Sequence, residues 1–291
     1  MMTATPNRTA PEPAPLGAPA RDRLARVRRF ARTPKGVMLG VLALLTLLAA
    51  PSAGLALVLP NLIGAMAAAV VIDGVLLWLK RGAWTFPTGA LLSGLFVALV
   101  LDPHEPWFIA LCTAGLAITS KWLLRTRWSN VFNPAALALV AGSFLYGSGH
   151  SWWGALPDLP APLIAVLLAT VVFTARYVNK LPMVVTFAGV YFALVTLVAF
   201  AGDPARVAEL FRIPNVNAAL FFAGFMLTDP PTSPVRYRDQ IVYAAIVAGA
   251  GVVVYLSLGA VYFLPAGLLA GNAWETGRRL SHAVRRSRRA G

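Results

Sequence analysis

The chain has 291 residues, 58% of them hydrophobic and 12% charged, with a formal charge of +14. A mean hydropathy of +0.70 excludes a soluble globule. A single cysteine, Cys112, excludes disulfides, a thiol-built zinc centre and an iron–sulfur cluster made from this chain alone.

Residues 1–35 are rich in Pro, Ala and Arg without apolar periodicity, and read as a disordered cytoplasmic segment. Arg28-Arg29-Phe30 is similar to a twin-arginine signal, and Ala49-Ala50-Pro51-Ser52-Ala53 to a signal-peptidase site. The charged region is long, however, and more apolar spans follow at once, so the first helix is expected to stay uncleaved. Ten spans are read, roughly 37–57, 62–80, 88–101, 107–125, 133–147, 161–179, 182–201, 216–229, 239–257 and 261–277. They make a transmembrane domain over 36–278, with halves 36–147 and 161–277, followed by a basic tail over 279–291. Every second loop holds the positive charge: 23 of the 25 Lys and Arg lie there, and only Arg206 and Arg212 fall on the other side. Translocation disfavours flanking Lys and Arg, so both termini are expected in the cytoplasm of a bacterium whose inner membrane holds the chain. The charge is then topological. It favours the anionic headgroups of the lipid bilayer, and no nucleic acid is expected as a partner.

The third and eighth spans, Thr88–Leu101 and Val216–Asp229, are short: 14 residues rise only about 21 Å. Helices that short must end inside protein or line a cavity. Leu101-Asp102-Pro103 closes one and Thr228-Asp229-Pro230 closes the other, 127 residues later. Pro134-Ala135-Ala136-Leu137 and Pro265-Ala266-Gly267-Leu268 give a second echo. Five spans per half turn the second half upside-down relative to the first. Paired short segments in such an inverted repeat point to a central site at the repeat interface. The fold expected is an all-α polytopic membrane protein of about ten helices in a 5+5 inverted repeat.

Asp102 and Asp229 each follow a short helix and precede a proline. As caps, their carboxylates accept from orphan N–H groups of the next turn. Beside a helix C-terminus, they also make a spot that attracts cations. Asn133-Pro134 opens the fifth span as another cap. Asp73 differs, because Val70-Val71-Ile72 and Val75-Leu76-Leu77 enclose it about 10 Å from the end of its helix. A carboxylate that deep costs roughly 2.5–3.5 kcal/mol and needs a partner or a water-filled cavity. His104, His150 and His282 have no ligand spacing, so no metal site is expected. Trp152 and Trp153 read as an interfacial belt. Ala248 to Gly251 reads as close helix packing.

Phe132-Asn133-Pro134-Ala135-Ala136, reached through the basic loop Lys121 to Arg125, resembles the phenylalanine–asparagine–proline–alanine signature of the RnfD/NqrB family. These are membrane subunits of Rnf-type electron-transport complexes and of sodium-pumping NADH:quinone oxidoreductases. Thr228-Asp229-Pro230-Pro231-Thr232-Ser233-Pro234 is similar to that family's threonine–aspartate–proline motif, with Pro231 where many members have valine. The resemblance implies a urea-transporter-like inverted repeat and other complex subunits as partners. It also implies coupling of electron flow to sodium or proton movement with flavins. Members with covalent FMN carry it on a threonine in a Ser-Gly-Ala-Thr motif. Here the loop from Tyr146 to Leu163 has Ser148 and Ser151 but no threonine, and no Gly-Ala-Thr occurs in the chain. Covalent FMN is therefore not expected, and the flavin compatible with the sequence is non-covalent FMN or riboflavin. The resemblance makes Asp73, Asp102 and Asp229 candidates for the ion pathway, with Asn133 and Thr228 shaping or binding at the site. Two other functions stay open on the residues alone: a stand-alone channel or permease for a small solute or ion, and an accessory membrane protein of an enediyne-type pathway.

Overall fold

The computed structural model describes residues 20–82, 85–126, 129–158 and 160–290, with the backbone alone at 20–24, 26, 161 and 284–290. Arg8, Arg127 and Gly291, which enter the charge pattern or the tail, lie outside the described residues. An amphipathic helix, α1 (Ala20–Ala31), comes first. It corrects the reading of 1–35 as wholly unstructured, because Leu24, Val27 and Ala31 do recur at helical spacing within the arginine-rich stretch.

The apolar helices follow in order. They are α2 (Pro34–Ala53), α3 (Leu55–Arg81), α4 (Thr88–Val100), α5 (Trp107–Leu123) and α6 (Pro134–Tyr146), then α7 (Ile164–Tyr177) and α8 (Leu181–Ala201). After the single turn α9 (Pro204–Val207) come α10 (Ile213–Phe221), α11 (Tyr237–Leu258) and α12 (Phe263–Ala290). Four of them, α2, α3, α8 and α11, are long and apolar enough by themselves to cross a membrane; α4, α5, α6, α7 and α10 with its extension are shorter apolar helices. The break between α2 and α3 falls at Gly54, whose φ of +89° only glycine adopts freely. Pro60 therefore lies inside α3 rather than in the connection.

Both short helices are sunk in the protein, as their length demands. From Leu92 to Val100, every residue of α4 is buried. α10 continues into a wider π-helical turn, Phe222–Met226, which is buried throughout. Gly94 lets α4 press on α3, since a Cβ there would stand 2.7 Å from the Ala65 carbonyl oxygen. Gly224 does the same against α7, where Val171 would stand at 2.6 Å. The two short helices meet through Phe96 and Phe221, edge to face at 6.4 Å.

The connection after α6 folds onto the C-terminal end of α4. The Trp153 indole donates to the Ala98 carbonyl at 2.6 Å, and the Ser151 and Trp152 N–H groups both donate to Val100. These bonds take up carbonyls that a helix end leaves open. Trp152 and Trp153 are consequently 5% and 2% exposed, and Trp152 packs on Phe221 and Phe222. The interfacial-belt reading is wrong for both.

Candidate functional site

Asn133 gathers the first motif. Its Oδ1 accepts from the Ala136 N–H at 3.0 Å and caps α6, with Pro134 preset for the first turn. Its Nδ2 donates to Asp229 Oδ2 at 3.4 Å, across 96 residues of sequence. Its own backbone N–H donates to Asn272 Oδ1 of α12 at 2.7 Å. Asn272 in turn donates to the Tyr243 hydroxyl at 2.6 Å and to the Thr232 carbonyl at 3.4 Å. Thr232 closes the circuit, its hydroxyl donating to Asp229 Oδ2 at 2.9 Å. The two motifs thus meet at the N-terminal end of α6. Among the described residues, both bonds to the Asp229 side chain fall on Oδ2, which leaves Oδ1 to accept.

The loop after Asp229 is held by its carbonyls, because Pro230, Pro231 and Pro234 have no N–H to donate. Arg279 donates to the carbonyls of Pro231 at 2.9 Å and Ser233 at 3.0 Å. Lys180 donates to that of Pro234, and Gln240 to that of Val235 at 3.1 Å. Arg279 also reaches the Ser129 hydroxyl at 2.8 Å and Glu275 at 2.7 Å. Glu275 pairs with Arg278 at 2.8 Å, and Arg278 with Asp239 at 2.8 Å. Asp239 and Glu275 are thus paired with Arg278 and Arg279, and the charges of Lys35 and Lys180 both act on Asp229. Burial pushes the Lys180 ammonium down to about 8, while Glu275 and Asp229 work to hold it up. The cluster supplies its own cations, and so fastens the proline loop to α6 and α12.

The other sequence candidates lie elsewhere. Thr228 is buried and donates to the Gly224 carbonyl at 2.7 Å, within its own turn rather than toward Asn133. Asp73 on α3 accepts from Lys121 at 2.8 Å and from the Trp122 indole at 2.7 Å, both from α5. Asp102 sits at the other end of α6, its N–H bonded to the Gly149 carbonyl. The 13 residues of α6 put it roughly 20 Å from Asn133. There its carboxylate accepts from the His104 N–H at 2.9 Å within a turn; it caps no helix, because α5 begins only at Trp107, behind Pro106. Asn272, Glu275 and Arg279 carry no motif that singles them out in the sequence, although at spacings of three and four they share one face of α12.

At the Asp102 end, a cleft of about 430 Å³ is lined by Asp102, His104, Ser151, Trp153, Asp158 and Pro214. It lies far from the Asn133–Asp229 cluster, and its acidic rim repels a phosphate. Beside it, burial pushes the His150 imidazole from 6.5 down to about 4, against the pull of the nearby Leu139 and Val261 backbone. Between those values the unfolded chain binds a proton that the folded chain refuses. Stability is therefore full above about pH 6.5 and falls as pH drops toward 4. A series of thermal unfolding curves over that range is expected to show a falling Tm, and His150→Gln to flatten the fall.

Fold and site together define an all-α membrane protein with a polar, ion-paired cluster at one end of a buried short helix. Over 75 residues, its sequence is 43% identical to the D subunit of the ion-translocating oxidoreductase complex of Stutzerimonas stutzeri. The match covers 25% of this chain and 20% of that relative. No family model matches the chain.

Proposed function

We propose that this chain is an integral membrane subunit of an ion-coupled electron-transport complex of the Rnf/Nqr type, seated in the bacterial inner membrane with both termini cytoplasmic. The observation that carries the reading is the meeting of Asn133 with Asp229, which joins the two motifs of the resemblance into one site. The role that the relative's name gives it, ion translocation in an oxidoreductase complex, agrees with this. Packing supports the 5+5 inverted repeat that goes with this reading. α3 runs along α5 as α8 runs along α11, and α5 lies on α6 as α11 lies on α12.

Asp229, with Oδ1 left to accept, is the residue assigned to cation handling; Asn133 fixes its orientation, and Thr228 shapes the turn that delivers it. Asp73 is directly ion-paired with Lys121 and Asp102 is bonded to His104, whereas no direct ion pair to Asp229 occurs among the described residues, so both stand behind Asp229 as ion-pathway groups. A tethered FMN does not fit this chain. Ser148 is 2% exposed, and the cleft beside Ser151 has an acidic rim. Riboflavin, which lacks the phosphate, is the flavin that the loop would tolerate. Asp229→Asn, which keeps the size and one acceptor oxygen but removes the charge, is expected to leave membrane insertion intact and to reduce ion-coupled turnover of the assembled complex at least tenfold. Turnover at the wild-type rate sinks the assignment. The absorption spectrum of the purified chain tests the flavin separately.

A further inference from the structure

The joint between α1 and α2 is built to hold α1 at a set height. Thr33 caps α2, accepting from the Gly36 N–H at 3.1 Å, and donates back to the Phe30 carbonyl at 2.7 Å. A Cβ on Gly36 would stand 2.1 Å from that same carbonyl oxygen, so this tight fold-back needs glycine. The Tyr177 hydroxyl, at the end of α7, donates to the Arg32 carbonyl. α1 is thus tied to the ends of two apolar helices, at the level where α2 begins. Its sequence places Leu24, Val27 and Ala31 on one stripe, with arginines at 21, 23, 26, 28 and 29 around it. Residues 20–35 hold seven basic side chains against the single Asp22. Among the described residues none covers the stripe at Val27, which is 64% exposed, and Arg28 and Arg29 are exposed beside it.

We propose that α1 lies in the bilayer interface, with its apolar stripe at the acyl boundary and its arginines on anionic phospholipid headgroups. A soluble acidic partner matches the charge but gives no use to an apolar stripe held where α2 enters the apolar layer. A lipid surface answers both. The proposal stands on the membrane character of the chain and is independent of any role in electron transfer.

The test labels Val27→Cys, in a Cys112→Ala background, with a polarity-sensitive fluorophore. The full chain is then reconstituted in phosphatidylcholine vesicles with or without phosphatidylglycerol. A blue shift in the phosphatidylglycerol vesicles, reversed by high salt, is expected. Arg28→Gln with Arg29→Gln should weaken the docking equilibrium about thirtyfold, at roughly 1 kcal/mol per arginine. Identical spectra in the two lipids overturn the proposal. A blue shift in lipid-free detergent also overturns it, because protein would then be covering the stripe. Anionic phospholipid retained through purification, wild type against the double arginine variant, gives a readout that needs no cysteine; equal retention overturns the proposal as well.

Discussion

Arg279→Ala is expected to destabilise the protein by about 3–5 kcal/mol, the usual cost of stranding one partner of a buried ion pair. Glu275 is 2% exposed and would keep only Arg278, which is already shared with Asp239. The carbonyls of Pro231 and Ser233 would lose their donor in the same step, as would the Ser129 hydroxyl. Arg279→Lys should recover only part of the loss. One ammonium is a point charge, whereas the guanidinium spans a carboxylate, two carbonyls and a hydroxyl with its fixed fork. Glu275→Gln combined with Arg279→Ala should cost less than the sum of the two single changes, since the stranded charge is gone. Thermal unfolding of the purified variants in one detergent measures all four values. If Arg279→Ala unfolds at the wild-type Tm, the proline loop is held by something other than this arginine.

Much of this architecture can be read from the sequence, because a hydrocarbon layer imposes a length that composition reveals directly. Nine of the ten expected spans fall on apolar helices, the tenth opens α12, which runs on into the arginine-rich tail, and the two short ones are buried as their length requires. Contacts that close loops are another matter. The expected spans place the connection between the first two helices at 58–61, yet the turn is made at Gly54, where a positive φ is needed and no local pattern announces it. Trp152 and Trp153 have the composition of a membrane interface; they are buried because the open carbonyls of α4 need donors, a demand that arises only once the loop is packed. Asn133 and Asp229 are each legible as caps. Only Asn133 caps a helix; that its amide also reaches the Asp229 carboxylate depends on how α6 and the proline loop meet, 96 residues apart. Asn272 and Glu275 are hidden for a simpler reason. They sit where an apolar run passes into an arginine-rich tail, so their polarity looks like the beginning of solvent.

Lys121→Met is expected to cost a similar 3–5 kcal/mol, and its logic separates a structural ion pair from a functional one. Asp73 is 1% exposed on α3, and its two oxygens are divided between Lys121 Nζ and the Trp122 indole. Removing the lysine leaves a carboxylate in an apolar layer with one neutral donor, where the ionised form is costly. Trp122→Phe removes only that neutral donor and should cost about 1–3 kcal/mol. Asp73→Leu together with Lys121→Met deletes both charges, and apolar pairs of matching volume often replace buried ion pairs without loss. The double variant is therefore expected to unfold near the wild-type temperature while Lys121→Met does not. If that stable double variant, assembled with its partners, still turns over normally, Asp73 serves to clamp α3 to α5. Should turnover collapse while Tm is preserved, the charge itself is needed, and the ion path reaches at least as far as Asp73.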